Sequence, residues 1–74
     1  MYTLHMQTLN NLKDLRLDRD INQSEMARMC GVSRQTIHAI ETLKYTPSVE
    51  LALIIAKELN LPVDKIFTLK KEKK

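Results

Sequence analysis

The chain has 74 residues, 43% hydrophobic and 28% charged, with one glycine, two prolines, one cysteine, two histidines and a formal net charge of +3. That is one small domain, with no internal disulfide framework, no zinc set of the usual spacing and no glycine-rich phosphate loop, which needs several glycines. The longest apolar run, residues 51–56, is far short of the roughly 20 residues of a spanning helix.

The first residues show neither a basic segment nor the apolar stretch of a signal peptide, and an unpaired cysteine fits a cytoplasmic location. A core this small contributes only about 3–5 kcal/mol, so self-association is the expected supplement. The positive balance suggests nucleic acid, but its distribution does not. Residues 70–74 carry four lysines and one glutamate, while residues 1–69 carry eight basic and eight acidic side chains. The excess lies in a tail expected to be solvated. A case for nucleic acid must rest on arrangement rather than on the total.

Tyr2, Leu4 and Met6 alternate with Thr3, His5 and Gln7, the period of a short strand over residues 2–7. An unstructured start, with Met6 as the first native residue, is the other reading. Asn10 and Asn11 precede Leu12, Leu15 and Arg16, which predicts an Asn-capped helix ending near Arg19 or Asp20. Asn22 and Glu25 form a capping-box-like start for a second helix carrying Met26, Ala27, Met29 and Cys30. Gly31 suits the left-handed position that closes it. Ser33 caps a third helix, with Ile37 and Ile40 facing inward. Residues 42–46 are a polar loop. Pro47 and Ser48 open a fourth helix, apolar nearly all round from Val49 to Leu59 and so expected to be the most buried. Asn60 ends it in a left-handed turn, and Pro62 opens a fifth, short helix ending at Ile66 or Phe67. Phe67 and Leu69 alternate with Thr68 and Lys70, a second strand candidate to pair with residues 2–7. The plan is an N-terminal segment (1–9), a helical unit (10–67) and a strand with a lysine-rich tail (68–74).

The strongest signal is Gln23-x3-Ala27-x3-Gly31-Val32-Ser33-x3-Ile37-x3-Glu41. Ala27 is small enough for two helices to cross closely, and Gly31 takes a turn that a Cβ penalises. Val32 and Ile37 lock the second helix of the pair onto the first. Ser33 leaves a capped, partly positive helix N-terminus pointing outward. This is a helix–tight turn–helix unit. It resembles the Cro and phage-repressor type of helix-turn-helix, the XRE family, over residues 12–67; the stretches opened by Tyr45 and by Pro62 look like that family too. The resemblance implies an all-α, five-helix lambda-repressor-like domain, here with a small antiparallel sheet added by the chain ends. It also implies a sequence-specific binder of double-stranded DNA that acts as a dimer on operators. No cofactor, metal or membrane partner is expected.

An α-helix fits the major groove, where each base pair shows a distinct donor and acceptor pattern. Residues 33–41 are therefore the expected reader. Arg34 matches guanine O6 and N7, Gln35 matches adenine N6 and N7, and Ala39 suits a thymine methyl. The family resemblance places base reading on Arg34, Gln35 and Ala39 and a phosphate contact near Gln23; His38 and Thr36 rank below them. Outside this motif Arg34 and Gln35 would read as ordinary solvated residues. Phosphate candidates are Asn22 and Gln23 at a helix N-terminus, with Ser33, Thr42, Lys44, Tyr45 and Arg28. So few cations predict a modest salt dependence.

Arg16 and Glu41 fall on otherwise inward positions, and the resembled family forms a buried ion pair there. Thr42 and Leu43 stand where many relatives carry Asn-Gly, so Leu43 predicts a longer reader helix or an apolar loop contact. Cys30 falls on a core position. The resemblance places dimerisation in the final helices, with Leu61, Val63, Ile66, Phe67 and Leu69 as interface candidates. Two functions follow: a homodimeric regulator, expected to be a repressor, or an antitoxin-like module whose main partner is another protein. An enzyme is not expected, because Ser33, His38 and Glu41 diverge around one helix and no activated nucleophile or glycine-rich loop accompanies them.

Overall fold

The ends of the helices are set locally. In the computed structural model, which describes residues 6–71, the chain order is β1 (Met6–Asn10), α1 (Leu12–Asp18), α2 (Gln23–Cys30), α3 (Arg34–Glu41), α4 (Val49–Leu59), a 3₁₀ turn (Val63–Lys65) and β2 (Phe67–Lys71). At α2 the Asn22 side chain accepts from the Glu25 N–H at 2.8 Å, and the Glu25 carboxylate accepts from the Asn22 N–H at 3.0 Å. Ser33 Oγ accepts from the Thr36 N–H, and Ser48 Oγ from the Leu51 N–H, both at 3.1 Å. Gly31 and Asn60 close α2 and α4 in the left-handed region, at φ of 72° and 56°. A Cβ on Gly31 would meet nothing within 4 Å, so the glycine answers to conformation, not to space.

Of the two asparagines predicted to cap α1, Asn10 and not Asn11 makes the side-chain bond. Its Oδ1 accepts from the Leu12 N–H at 3.1 Å. The five-helix expectation is corrected: four α-helices form among the described residues. After Pro62 only a three-residue 3₁₀ turn forms, because the chain is taken up by β2 one residue after Ile66. So short a segment cannot recover the entropy of nucleating an α-helix.

Leu12, Met26, Ile37, Ile40, Ile55 and Ile66 are fully buried at the centre, with Ala27, Cys30, Leu51, Ala56 and Leu59 around them. The core thus draws on all four helices and on the residue before β2. The fourth helix is less buried than its composition predicts. It turns Leu51, Ile55, Ala56 and Leu59 inward but leaves Val49 and Leu53 exposed by 77% and 55%. A helix packed on one side buries one stripe whatever its other residues are. Among the described residues no helix is long and apolar enough to cross a membrane.

The sheet pairs β1 antiparallel to β2, with Met6 opposite Lys71, Thr8 opposite Leu69 and Asn10 opposite Phe67. The strand predicted over 2–7 lies outside the described residues up to position 5. From Met6 it runs on to Asn10, the first of the two asparagines that precede the predicted helix. Lys70, predicted in the second strand, lies in β2 and is exposed, and β2 reaches Lys71; the rest of the lysine-rich tail lies outside the described residues. Ile66, predicted at an interface, is buried in the chain's own core, whereas Leu69 is 65% exposed. Leu61 and Phe67 pack partly against that core, and Val63 remains accessible.

Candidate nucleic-acid interface

At 3.6 residues per turn, α3 turns Ile37 and Ile40 into the core and Arg34, Gln35 and His38 outward. Thr36 and Ala39 are half-buried on one margin of that outward face, and Glu41 on the other. Burial of the two isoleucines fixes the helix's rotation. The three polar side chains therefore share one exposed face, beginning at the N-terminus that Ser33 caps.

On the flank facing α2, charge organises the site. Arg16 grips Glu41 with both arms, Nε to Oε2 at 2.8 Å and Nη2 to Oε1 at 3.1 Å, and its Nη1 donates to the Ile21 carbonyl at 3.0 Å. The two side chains are only 7% and 3% exposed. Gln23 Nε2 donates to Glu41 Oε1 at 3.1 Å. Its Oε1 accepts from Arg34 Nη1, also at 3.1 Å, and its Nε2 lies 3.4 Å from His38 Nδ1. Burial alone would raise the Glu41 pKa. The hydrogen bonds from Arg16 and Gln23 and the charges of Arg16 and Lys13 outweigh it and hold the carboxyl below the usual range. The hydrogen bond to Glu41 raises the Arg16 pKa against the opposing effect of burial.

The flank facing the α3–α4 loop is built differently. A shallow cavity of about 380 Å³ opens there, lined by Val32, Thr36, Ala39, Tyr45 and Leu51 among others. The longer reader helix predicted from Leu43 does not form. Thr42 ends α3, and Leu43 enters the left-handed region at φ 63°. The Leu43 N–H donates to the Ile40 carbonyl, while Lys44 and Tyr45 N–H groups both donate to that of Ala39. These bonds consume the helix's last carbonyls, so the backbone stops turning. Leu43 is 44% exposed.

The phosphate candidates surround this face unequally. Asn22 is exposed at the N-terminus of α2, and Lys44 and Tyr45 are exposed just past α3. Arg28 is exposed in the last turn of α2, away from its N-terminus. Thr42 is exposed and directs its hydroxyl to the His38 carbonyl at 2.9 Å. Ser33 shares its hydroxyl between the Thr36 N–H and Thr36 Oγ1. Gln23 is engaged with three partners inside the chain.

Two further roles are invisible in the spacing. Asn10 Nδ2 donates to the Ile40 carbonyl at 3.0 Å, tying β1 to the end of α3 across 30 residues. Arg19 Nη2 donates to the Leu59 carbonyl at 3.3 Å and so closes the end of α4. Paired asparagines were the only hint of the first, and nothing in the sequence marked the second. Cys30 is buried with its Sγ 3.7 Å from Met26 Sδ, and burial, helped by the charge of Glu58, pushes its thiol pKa up.

A helix-turn-helix family profile matches residues 12–66. The chain is 47% identical over 58 residues to an uncharacterised HTH-type transcriptional regulator of Methanocaldococcus jannaschii, covering 78% of this chain and 88% of that protein. It is 33% identical over 59 residues to the transcriptional repressor RstR of the cryptic phage CTXphi in Vibrio cholerae, covering 80% of this chain and 53% of that protein. Among solved structures it is similar to the transcriptional regulator VanUg, with a TM-score of 0.78, 26% identity and coverage of 97% and 96% of the two chains. With a helix–turn–helix pair anchored by its own core and a profile matching residues 12–66, the chain belongs to the XRE-type helix-turn-helix family of DNA-binding transcriptional regulators.

Proposed function

We propose that the protein is a sequence-specific repressor that binds a two-fold symmetric operator as a homodimer, with α3 of each copy in the major groove. The observation that carries this reading is the outward face of α3. Arg34, Gln35 and His38 are exposed together, while the opposite side of the same helix is fully buried. Arg34 reads guanine and Gln35 reads adenine. Ala39 and Thr36, at the margin beside the cavity, take a thymine methyl. Asn22 and the N-terminus of α2 hold one backbone, and Lys44 and Tyr45 the other. Arg28 stands further off and contributes charge at most. Similarity to a protein named as a phage repressor supports repression.

The homodimer rests on the small core and on apolar surface left at the chain ends, where Val63 and Leu69 are exposed beside the partly buried Leu61 and Phe67. Two copies place half-sites one helical turn apart, about 34 Å. One observation favours a second reading, an antitoxin-like or protein-interaction module. Val49 and Leu53, one turn apart on α4, are exposed without any place in the DNA face. Selection of duplexes from a random pool by the full chain separates the readings. A two-fold symmetric enriched motif is expected, with a dimer in sedimentation at micromolar concentration. Absence of enrichment, or a monomer, overturns the homodimeric repressor.

A further inference from the structure

We propose that Asn10 is a positioning residue that sets the spacing of the two half-sites: its amide fixes the direction of α3 against the β1–β2 sheet, which carries the dimer surface. The proposal rests on the reading of the protein as a homodimer joined through its chain ends.

The amide is used at both ends. Its Oδ1 accepts from the Leu12 N–H at 3.1 Å, and its Nδ2 donates to the Ile40 carbonyl at 3.0 Å. A backbone N–H only donates and a carbonyl only accepts, so half a turn of the amide would break both bonds. Leu12 and Ile40 are fully buried, and both anchors therefore belong to the core. The Ile40 carbonyl is one that the helix leaves over. The Lys44 N–H, which would take it in a longer helix, turns to Ala39, and the Leu43 N–H shares Ile40 with Asn10 at 3.1 Å. Among the described residues the Asn10 bond is the only hydrogen bond between the sheet and α3.

The sheet is fastened at its root and uncovered beyond it. Side chains alternate along a strand, so Asn10 and its partner Phe67 share a face with Met6, Thr8 and Leu69. At the root of that face Phe67 packs against the core and Asn10 holds α3. Further out Met6 and Leu69 are exposed, and a cavity of about 340 Å³ opens between Thr8, Leu69 and Asp64 of the 3₁₀ turn. The apolar surface assigned to the dimer is thus continuous with the strand that ends on Asn10. In a dimer joined there, each reader lies about 17 Å from the two-fold axis, half of the half-site spacing. A rotation of about 10° between sheet and α3 then displaces the reader by about 3 Å, close to one base-pair step. A bond that removes this rotation selects one spacing.

The test uses the full chain and two variants. Asn10→Asp keeps an oxygen for the Leu12 N–H and removes the donor to Ile40; Asn10→Ser does the same without a charge, its side chain being one atom shorter. Each is titrated against duplexes carrying two enriched half-sites at the selected spacing and at spacings one base pair longer and shorter. Both variants are expected to reduce the native spacing preference by about 3- to 10-fold, the worth of one hydrogen bond, with base preference inside a half-site unchanged. An unchanged spacing preference overturns the proposal. Equal weakening at every spacing identifies a merely structural role and overturns it too. In free protein, residual dipolar couplings report the direction of the sheet N–H bonds relative to those of α3. One fixed direction is expected in the native chain and a less ordered one in both variants; unchanged couplings overturn the proposal. If the native chain enriches no paired half-sites, the homodimer reading falls and the spacing role with it, and the couplings still decide whether Asn10 orients α3.

Discussion

The two flanks of α3 are held by different physics. Towards α2, a buried ion pair and one glutamine fix the helix's first and last residues in a charge-assisted network. Towards the α3–α4 loop, the boundary is a shallow cavity between Ala39 and Tyr45. The first flank is directional and expensive to disturb, since buried charges left unpaired lose their solvation with nothing in return. The second depends on shape and on exposed groups, which are individually worth little. Under the proposed reading, the arginine that meets a guanine lies on the hydrogen-bonded flank and the residues that meet a methyl group lie beside the cavity.

The largest expected effect breaks the first flank. Glu41→Ala strands the Arg16 guanidinium and should cost about 3–5 kcal/mol, measured by chemical unfolding. Replacing both partners with apolar residues of similar size should cost much less. Acid probes the same pair. The Glu41 carboxyl has a lower pKa folded than unfolded, so the unfolded chain binds its proton more tightly. Its stabilising contribution is complete above the ordinary carboxylate value of about 4.3 and is lost as pH falls through the lower folded value. An unfolding midpoint followed from neutral pH into that range should fall more steeply in the native protein than in the doubly apolar variant.

Next in size is Arg34→Ala, with about 1–3 kcal/mol of lost discrimination at one base pair. Because Arg34 is exposed, thermal stability should move by no more than about 0.5 kcal/mol. Tyr45→Ala tests the other flank. It should weaken binding by about 1 kcal/mol on every duplex alike, the worth of one hydrogen bond to the backbone. A change in base preference would show that the loop flank reads sequence and would erase the contrast. The smallest effect is at Leu43, whose φ of 63° carries a strain of about 1 kcal/mol. Leu43→Gly should raise the unfolding midpoint slightly and leave binding unchanged.

What was legible in the sequence was local. Asn22, Ser33 and Ser48 cap through bonds spanning three residues, and Gly31 and Asn60 turn within one residue. Such signals are written in adjacent letters. The inward Ile37 and Ile40 also fixed which side chains of α3 face out. What escaped was decided across the fold. Asn10 was read only for a local cap, which its Oδ1 makes to the Leu12 N–H, because the carbonyl of Ile40 that its amide also meets is 30 residues away. Gln23 was assigned outward by its place at a helix N-terminus, before Glu41 and Arg34 could be seen on both sides of it. Leu43 suggested a longer helix because propensity ignores the loop N–H groups that end it. The composition of α4 suggested burial on all sides, although one helix face had nothing to pack against.

The central claim is that α3 reads DNA through Arg34, and the most direct test is a base-by-base binding profile. The native chain and Arg34→Ala are titrated against the enriched duplex and all its single substitutions. The account predicts two profiles that differ at one guanine in each half-site and coincide elsewhere. Identical profiles, or a loss spread evenly over all positions, would contradict it.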